Sequence, residues 1–351
     1  MSTRVLRVGL PAAATFLAAA SVLSAIAPWP SEYGLASKLD FYEEHKDEYD
    51  GVFLGSSRVF RGIVPQVIDE ELAQHGVTAK TFNLGVAGMV TYEMDYVLHR
   101  VLALDAQRPR WIAYEGGAWD PRFHYEANRY SARSVYWHTP AQTAKALWAT
   151  SRLPDPFLDR LDLAWTHVQH MLWKFTCYGA WKSFADHLRD ENTDTSGRSL
   201  TEVELTRDRG YQSLEKLAGR DDLEQRERLL RDLSGYLGLI ERRKQNGDPP
   251  AELAWTPIWA IEAQHAAARA ADVDLLYTVL PSVEPTPEAA ALAELGVVRA
   301  LYDFNRPAQF AELFDPSRHY DAVHMNELGA SELSRLLAAA MAERLHASER
   351  R

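Results

Sequence analysis

The sequence predicts an α/β protein: a three-layer αβα sandwich built on a mainly parallel five-strand sheet and carrying a helical insertion. In residues 52–115, and again from residue 258 onward, short apolar runs typical of buried strands alternate with stretches whose apolar residues have helical spacing. Such alternation with short loops is typical of a parallel sheet covered by helices. Between about residues 120 and 246 the pattern indicates helices and loops only, and this predicts an insertion.

Each element follows from its local pattern. The five expected strands are Val52–Leu54, Ala79–Leu84, Arg110–Glu115, Val273–Leu280 and Val297–Tyr302. The expected helices of the core are Pro65–His75, Thr91–Leu104, Ile258–Ala271 and Glu327–Leu345, with a short helix in the acidic connector Phe41–Asp50. Within the insertion, capping boxes at Thr139–Gln142 and Ser199–Glu202 predict two helix starts.

The N-terminus predicts export. Arg4 and Arg7 precede Val8–Ser31, a stretch without charges that is longer than the roughly 20 residues needed to cross a bilayer. The positive-inside rule leaves the two arginines in the cytoplasm and places the rest of the chain outside. Ala25–Ala27 fits a signal-peptidase site, but Pro28 directly after it disfavours cleavage. An uncleaved anchor and a removed signal peptide therefore both stay open.

The expected domain organisation has four parts. They are a signal anchor (1–31), the first part of the α/β core (32–119), the helical insertion (120–250) and the second part of the core (251–351). With 351 residues, 46% of them apolar, the chain can bury one full core of this kind. A formal net charge of −11 without an extended Lys/Arg tract argues against nucleic acid as a partner. Cys177 is the single cysteine, so no internal disulfide can form.

Aromatic residues are concentrated in the insertion, which contains Trp165, Trp173 and Trp181 at intervals of eight residues. This stripe is typical of a packed core, but a sugar-binding platform and a membrane-facing surface are the alternatives. His167 and His170 lie in the same helical stretch without a carboxylate at the spacing of a metal site. We therefore expect neither a metal ion nor another cofactor.

Two short motifs carry the chemistry that the sequence predicts. Gly55-Ser56-Ser57-Arg58 follows the first strand, where small residues suit a tight turn that exposes a hydroxyl at the carboxyl edge of the sheet. Ligands bind at this edge in open α/β sheets. Asp321 and His324 lie three residues apart before the last helix. At that spacing both can face one way, as a base with its orienting carboxylate.

These two motifs, with the stretch Asn83–Gly88, resemble the conserved blocks of the SGNH (GDSL-type) hydrolases. That family carries Gly-Asp-Ser, Asn-x-x-x-x-Gly, Gly-x-Asn-Asp and Asp-x-x-His blocks. The second and fourth blocks are intact here, whereas the first has Ser56 in place of Asp and the third, within Gly116–Asp120, has Trp119 in place of Asn. The four blocks occur in the family's order, over about the first third and the last quarter of the chain.

The resemblance implies a role for each matching residue. Ser57 is the expected nucleophile, His324 its base and Asp321 the residue that orients the base. The backbone N–H groups of Ser57 and Gly88 are the expected donors to the oxyanion. The family's third donor is missing because Trp119 replaces the Asn, and the loss of one such donor typically costs about 3 kcal/mol.

Four side chains are candidates for the substrate site. The Trp119 indole or the Arg58 guanidinium could replace the missing donor, although an ion pair of Arg58 with Glu115 or Asp120 is the simpler interpretation of that arginine. His124 and Tyr125 follow the third strand, and loops at that edge commonly determine specificity.

With its N-terminal anchor and its Gly-Ser-Ser-Arg turn, the chain resembles the exported SGNH proteins that accompany membrane-bound O-acyltransferases. Those proteins take part in the acetylation of envelope polysaccharides, as in alginate acetylation. The resemblance therefore implies serine-dependent transfer from an acyl-ester donor to a glycan acceptor, with a membrane-bound O-acyltransferase as a candidate partner. A carboxyl-ester hydrolase is the first alternative. An inactive scaffold that binds glycan or an acyltransferase is the second.

Overall fold

The computed structural model describes residues 34–104, 107–123, 129–176, 200–217 and 220–349, together with helical residues 11–12, 14–16, 18–20 and 22. The chain forms two compact units, Met1–Ser37 with Pro121–Ser199 and Lys38–Asp120 with Leu200–Arg351. The sequence pattern placed the whole of residues 120–250 in an insertion. Residues 200–250 instead belong to the larger unit, because Tyr211, Tyr236 and Ile240 are buried in the same core as Phe53 of the sheet.

A five-strand parallel sheet organises the larger unit, as predicted. The strands are β1 (Gly51–Gly55), β2 (Thr81–Gly85), β3 (Trp111–Glu115), β4 (Asp274–Val279) and β5 (Leu301–Asp303). Their order in the sheet is β2-β1-β3-β4-β5, and every neighbouring pair is parallel. Every residue of the first three strands is buried, so most of their side chains are apolar, and the polar exceptions Thr81, Asn83 and Glu115 are hydrogen-bonded.

Helices cover both faces of this sheet. In chain order, those of the larger unit are α1 (Leu35–His45), α2 (Ser57–Gly62), α3 (Pro65–Gln74), α4 (Thr91–Leu102), α8 (Glu202–Asp208), α9 (Leu214–Leu217), α10 (Arg220–Arg231), α11 (Leu233–Asn246), α12 (Ile258–Ala270), α13 (Pro287–Glu294) and α14 (Glu327–Glu349). α2, α3 and α14 pack together over one face, and α4 and α12 pack together over the other. Apolar side chains of α14, among them Leu333 and Leu337, share a core with Phe53 and Trp111 of the sheet.

The described part of the smaller unit is helical. Its helices are α5 (Ala132–Trp137), α6 (Pro140–Thr150) and α7 (Phe157–Phe175), and α7 packs on the other two. α6 begins as predicted, because the Thr139 hydroxyl accepts a hydrogen bond from the Gln142 N–H and Pro140 occupies the first turn.

The second capping box lies two residues later than predicted. Thr201 and Glu204 form it, each side chain accepting from the other's backbone N–H, so α8 begins at Glu202 and not at residue 200. The predicted window Ser199–Glu202 and the observed one both fit the Ser/Thr-x-x-Glu pattern, and the pattern alone does not choose between them.

The fifth strand is also displaced from its predicted position at Val297–Tyr302. The N–H groups of Val297 and Val298 both donate to the Leu292 carbonyl, and Gly296 has a φ of +72°. These hydrogen bonds and the left-handed Gly296 form the C-terminal cap of α13. Because Val297 and Val298 belong to this cap, the strand begins only at Leu301.

The uncharged stretch Val8–Ser31 lies outside the described residues except for the few helical positions between residues 11 and 22. Within the part of the chain that the structure describes, none of the helices combines the length and the apolar character required to cross a bilayer.

Candidate active site

The turn after β1 places Ser57 at the carboxyl edge of the sheet. β1 ends at Gly55, Ser56 caps α2 through a hydrogen bond from the Arg58 N–H, and Ser57 is the first helical residue. A Cβ atom on Gly55 would lie 2.5 Å from a carboxylate oxygen of Glu115, so the turn requires glycine there. β1 lies between β2 and β3 in the sheet. The strand order reverses between β1 and β3, and sheets of this order bind ligands at that switch point.

The structure brings Ser57, His324 and Asp321 together in one hydrogen-bonded chain. The Ser57 Oγ lies 2.8 Å from His324 Nε2, and His324 Nδ1 lies 2.8 Å from Asp321 Oδ2. The His324 side chain is 17% exposed and that of Asp321 is 5% exposed. With a proton on Nδ1 held by the carboxylate, Nε2 is free to accept the proton of the Ser57 hydroxyl.

Asp321 is held in its ionised form. Burial raises its pKa. The hydrogen bond from His324, the positive charge of that ring when it is protonated, and the N–H groups of Val323 and His324 together lower the pKa by more, so that the net pKa is below its ordinary value. Both N–H groups donate to Oδ1 at 2.8 Å, which leaves Oδ2 for the imidazole. An ionised carboxylate in this position stabilises the imidazolium that forms when His324 takes a proton.

Two backbone N–H groups lie at the ends of neighbouring strands. Ser57 follows β1, and Gly88 lies with a φ of +68° in the turn after β2. The two turns are joined because the Val86 N–H donates to the Gly55 carbonyl at 3.0 Å. Among the described residues, neither the Ser57 nor the Gly88 N–H has a hydrogen-bond acceptor, and both can therefore donate to a ligand.

Trp119 follows β3 at the same edge, but its ring is part of the packing. The residue is 3% exposed and lies edge-on against Tyr92, with ring centroids 5.2 Å apart. The Tyr92 hydroxyl also donates to the Trp119 carbonyl at 3.0 Å. An indole held this way fixes the loop after β3, and its role as an oxyanion donor stays a prediction. His124 and Tyr125 lie outside the described residues.

Glu115 has a larger part in this site than the sequence predicted, where it was only one of two candidate partners for Arg58. Its buried carboxylate accepts hydrogen bonds from the Ser56 N–H at 2.5 Å, from the Ser56 hydroxyl at 3.1 Å and from Arg58 Nε at 2.7 Å. It therefore holds both neighbours of Ser57. Of the two partners expected for Arg58, Glu115 and Asp120, the structure shows an ion pair with Glu115. The signal in the sequence was a carboxylate that ends an otherwise apolar strand, since such a charge is buried only when it is paired.

The remaining part of α2 is held by Asn83, the first residue of the second block. Its side-chain amide donates to the Val59 and Ile63 carbonyls at 2.8 and 2.7 Å, and its Oδ1 accepts from the Gly85 N–H. Lys38 also reaches this point and donates to the Gly85 carbonyl at 2.5 Å. Burial, and to a lesser extent Arg61, lowers the pKa of Lys38 well below its ordinary value. These contacts fix α2, and with it Ser57, against β2.

No protein-family model matches this chain, and no curated protein matches its sequence. Among the described residues, no group of three or more His, Cys, Asp and Glu side chains is arranged to hold a metal ion. A cavity of about 300 Å³ in the larger unit is lined by residues of α3, α8 and α9, and none of the triad residues lines it.

Proposed function

We propose that this protein is an extracytoplasmic serine-dependent O-acyltransferase, which moves an acyl group from an ester donor to a hydroxyl group of a cell-envelope glycan. The observation that carries the proposal is the hydrogen-bonded chain from Ser57 through His324 to Asp321. Such a chain is the arrangement that activates a serine for acyl transfer. The glycan acceptor and the location outside the cytoplasm rest on the sequence resemblance and on the N-terminal segment.

In the first half of the reaction Ser57 takes the acyl group. Its Oγ attacks the carbonyl carbon of the donor ester while His324 Nε2 takes the hydroxyl proton. The N–H groups of Ser57 and Gly88 are the candidates to stabilise the negative charge that develops on the carbonyl oxygen. When the tetrahedral intermediate collapses, the bond to the donor's alkoxy oxygen breaks, and that oxygen leaves with the proton from His324.

In the second half the acyl group passes to the acceptor. His324 Nε2 takes the proton of an acceptor hydroxyl, whose oxygen attacks the carbonyl carbon of acyl-Ser57. Collapse of the second intermediate breaks the bond to Ser57 Oγ, which recovers the proton from His324. With water as acceptor the same steps amount to ester hydrolysis, so the triad by itself is compatible with both reactions.

The altered third block favours transfer over hydrolysis. Two backbone donors remain and the family's Asn is replaced by Trp119, whose ring is buried against Tyr92. Water gains nothing from a binding site, whereas a bound sugar hydroxyl is held beside the acyl-serine, an advantage of orientation that can amount to several kcal/mol. A transferase therefore tolerates a weaker oxyanion site better than a hydrolase does.

The test has two stages, both with the full chain. A serine-directed fluorophosphonate should label the wild type at Ser57, and Ser57→Ala should abolish labelling while the control Ser151→Ala, at an exposed serine of the smaller unit, leaves it unchanged. Ser57→Ala, His324→Ala and Asp321→Ala should each remove most turnover, and their combination should cost little more, because the three act as a unit.

The second stage measures the partition between acylated glycan and free acid, with an aryl ester as donor. We expect slow release of free acid without acceptor and acylated product when a glycan is added. Fast hydrolysis that ignores every acceptor would favour a carboxyl-ester hydrolase. A chain that forms no acyl-enzyme would instead be a scaffold that binds glycan or a membrane-bound acyltransferase.

A further inference from the structure

α7 carries its polar residues inside and its apolar residues outside. Thr166, His167 and His170 are buried against the rest of the smaller unit. The opposite face is apolar, and its exposed side chains are Phe157, Leu158, Leu161, Trp165, Leu172 and Phe175. We call these six residues the outer stripe.

The outer stripe is continuous along the helix. Residues 158, 161, 165 and 172 are separated by three, four and seven positions, so they lie on one side of α7. They are between 46% and 72% exposed, and Phe157 and Phe175 extend the stripe at its two ends. Single exposed apolar residues are ordinary on protein surfaces, but a contiguous stripe of six marks a surface that another apolar body covers.

The net charge of the smaller unit indicates what kind of surface covers the outer stripe. Residues 1–37 and 121–199, the smaller unit, contain twelve Lys and Arg against nine Asp and Glu, a net charge of +3 in a protein whose net charge is −11. α7 itself carries Arg160 and Lys174 together with Asp159 and Asp162, so the excess of positive charge lies on the rest of the unit. The same unit includes the uncharged stretch Val8–Ser31, which has the length and composition of a membrane-spanning segment. A positively charged unit with such a stretch is complementary to an anionic lipid surface.

We propose that the outer stripe of α7 lies in the headgroup region of an anionic phospholipid bilayer, with α7 parallel to the membrane plane. A helix in this position buries its apolar face about 5–10 Å into the boundary between headgroups and acyl chains. Trp165 and the two phenylalanines suit the interface, where aromatic rings are enriched. Basic residues of the same unit are attracted to an anionic surface. This surface does not depend on the chemistry at Ser57.

The experiment uses the full chain with Cys177→Ser and one new cysteine, Leu161→Cys, labelled with an environment-sensitive fluorophore. The protein is placed in vesicles of phosphatidylcholine with roughly 30% phosphatidylglycerol and a lipid that carries a quenching nitroxide near the headgroup. The control is Leu230→Cys on α10, because Leu161 and Leu230 are 55% and 57% exposed. We expect the label at residue 161 to be quenched at least about twofold more than the label at residue 230.

A second variant tests the stripe itself. Leu161→Glu combined with Trp165→Glu should abolish the quenching of a label at Leu172→Cys, whereas Leu230→Glu combined with Leu237→Glu should leave it unchanged. Far-UV circular dichroism and the thermal unfolding midpoint report that each variant is folded. Because the vesicles contain no other protein, quenching by lipid excludes a partner protein as the occupant.

Two results would overturn the proposal. Equal quenching at residues 161 and 230 would show that the stripe is not in the lipid. Protection of the label at residue 161 that increases with protein density, without quenching by lipid, would show that a second copy of the chain covers it. Vesicles of phosphatidylcholine alone should give weaker quenching, and equal quenching there would contradict the charge argument.

Discussion

At the scale of single residues, the carboxylate of Glu115 sets the position of the candidate nucleophile. It accepts from Ser56 on one side of Ser57 and from Arg58 on the other, within a site where it is almost inaccessible to water. A charge-assisted hydrogen bond in such a place is worth more than a neutral one, about 1.5–3 kcal/mol. In the reaction proposed for this site, Glu115 would therefore act through the position of its neighbours and not by contact with a reacting atom.

Glu115→Gln should lower kcat by about tenfold with little change in KM. The amide keeps the size of the side chain but loses the ion pair with Arg58 and can accept fewer hydrogen bonds, so the turn around Ser57 is held less firmly. The rate of fluorophosphonate labelling at Ser57 should fall with kcat. Glu294→Gln, at an exposed glutamate, is the matched control. Unchanged kcat and labelling would show that the turn holds itself without the carboxylate.

At the same scale, the sequence could predict the triad but not its support. Ser57, Asp321 and His324 stand in short motifs whose spacing is informative, and the structure places Ser57 Oγ and Asp321 Oδ2 each 2.8 Å from a ring nitrogen of His324. The sequence suggested Glu115 as a partner of Arg58, but not its hydrogen bonds with Ser56 or the contact of Lys38 with Gly85. These contacts join residues far apart in the chain, and no local pattern predicts them.

At the scale of elements, Gly210 ties the loop after α8 to the edge strand β2. Its φ is +84°, and the Arg209 carbonyl before it accepts from the Asn83 N–H. A Cβ atom on Gly210 would lie 2.1 Å from the Asn83 carbonyl oxygen. This position therefore requires glycine for its conformation and also for the close approach of two backbones.

Gly210→Ala should lower the free energy of unfolding by at least about 2 kcal/mol, because the added methyl group has no room and the backbone conformation is strained. The control is Gly238→Ala within α11, where no atom lies within 4 Å of the added carbon. This change should stabilise by about 0.5–1 kcal/mol through helix propensity. Denaturant midpoints measure both. Equal effects of the two substitutions would contradict the strain argument.

Two histidines of the smaller unit form a chain between two carbonyl groups. His138 Nδ1 lies 2.5 Å from the Ser134 oxygen, His138 Nε2 lies 2.9 Å from His167 Nδ1, and His167 Nε2 lies 3.0 Å from the Pro121 oxygen. These three contacts need three N–H groups, but two neutral rings supply only two. One contact therefore lacks a hydrogen atom unless the pair carries an extra, buried proton.

Burial opposes that extra proton. It lowers the pKa of His138 well below its ordinary value and that of His167 to about 3, and the neighbouring His170 has a pKa of about 4. Arg129 lowers the pKa of His167 and His170 as well, and Lys174 lowers that of His138. Between pH 4 and 6.5 these three histidines therefore bind more protons in the unfolded chain than in the folded one, and their contribution to stability falls as the pH falls.

We expect the smaller unit to lose about 1.4 kcal/mol per pH unit for each of these histidines below about pH 6.5. Amide hydrogen exchange of α5 and α7 at pH 7 and pH 5 measures the effect locally. His170→Leu should weaken the pH dependence and stabilise the unit at pH 7, since both ring nitrogens of His170 are buried without a hydrogen-bond partner. His75→Gln, at an exposed site, should change neither. Greater protection at pH 5 would mean that the pair holds the extra proton.

The elements were predictable where one local signal dominates. The five strands are short and mainly apolar, and four of them lie within two residues of the predicted bounds at each end. The fifth strand and the second capping box were displaced because each sequence fits two local patterns. In both, the outcome depends on hydrogen bonds at a helix end, Val297 to Leu292 in one and Thr201 to Glu204 in the other.

At the scale of the whole molecule, the two units differ in the sign of their net charge. The smaller unit carries a net charge of +3, and residues 38–120 with 200–351 carry −14. The predicted insertion did not coincide with either unit, because residues 200–250 read as polar helices but bury Tyr211, Tyr236 and Ile240 in the main core. A few apolar residues on these mainly charged helices determine which unit residues 200–250 pack against, and the overall composition of the segment does not indicate this.

The same scale carries the prediction on topology. Arg4 and Arg7 flank the uncharged stretch Val8–Ser31 on its N-terminal side, so the chain should insert with its N-terminus in the cytoplasm and Arg351 outside. A reporter that is active only outside the cytoplasm, fused after Arg351, should therefore be active, and a cytoplasmic reporter at the same point should be silent. Arg4→Glu combined with Arg7→Glu removes the positive charges that set the orientation and should reduce the exported fraction. Arg344→Glu combined with Arg318→Glu is the control, because charges far beyond the segment contribute little to orientation. Activity of the cytoplasmic reporter alone would place Ser57 on the cytoplasmic side and would remove the envelope glycan as its acceptor.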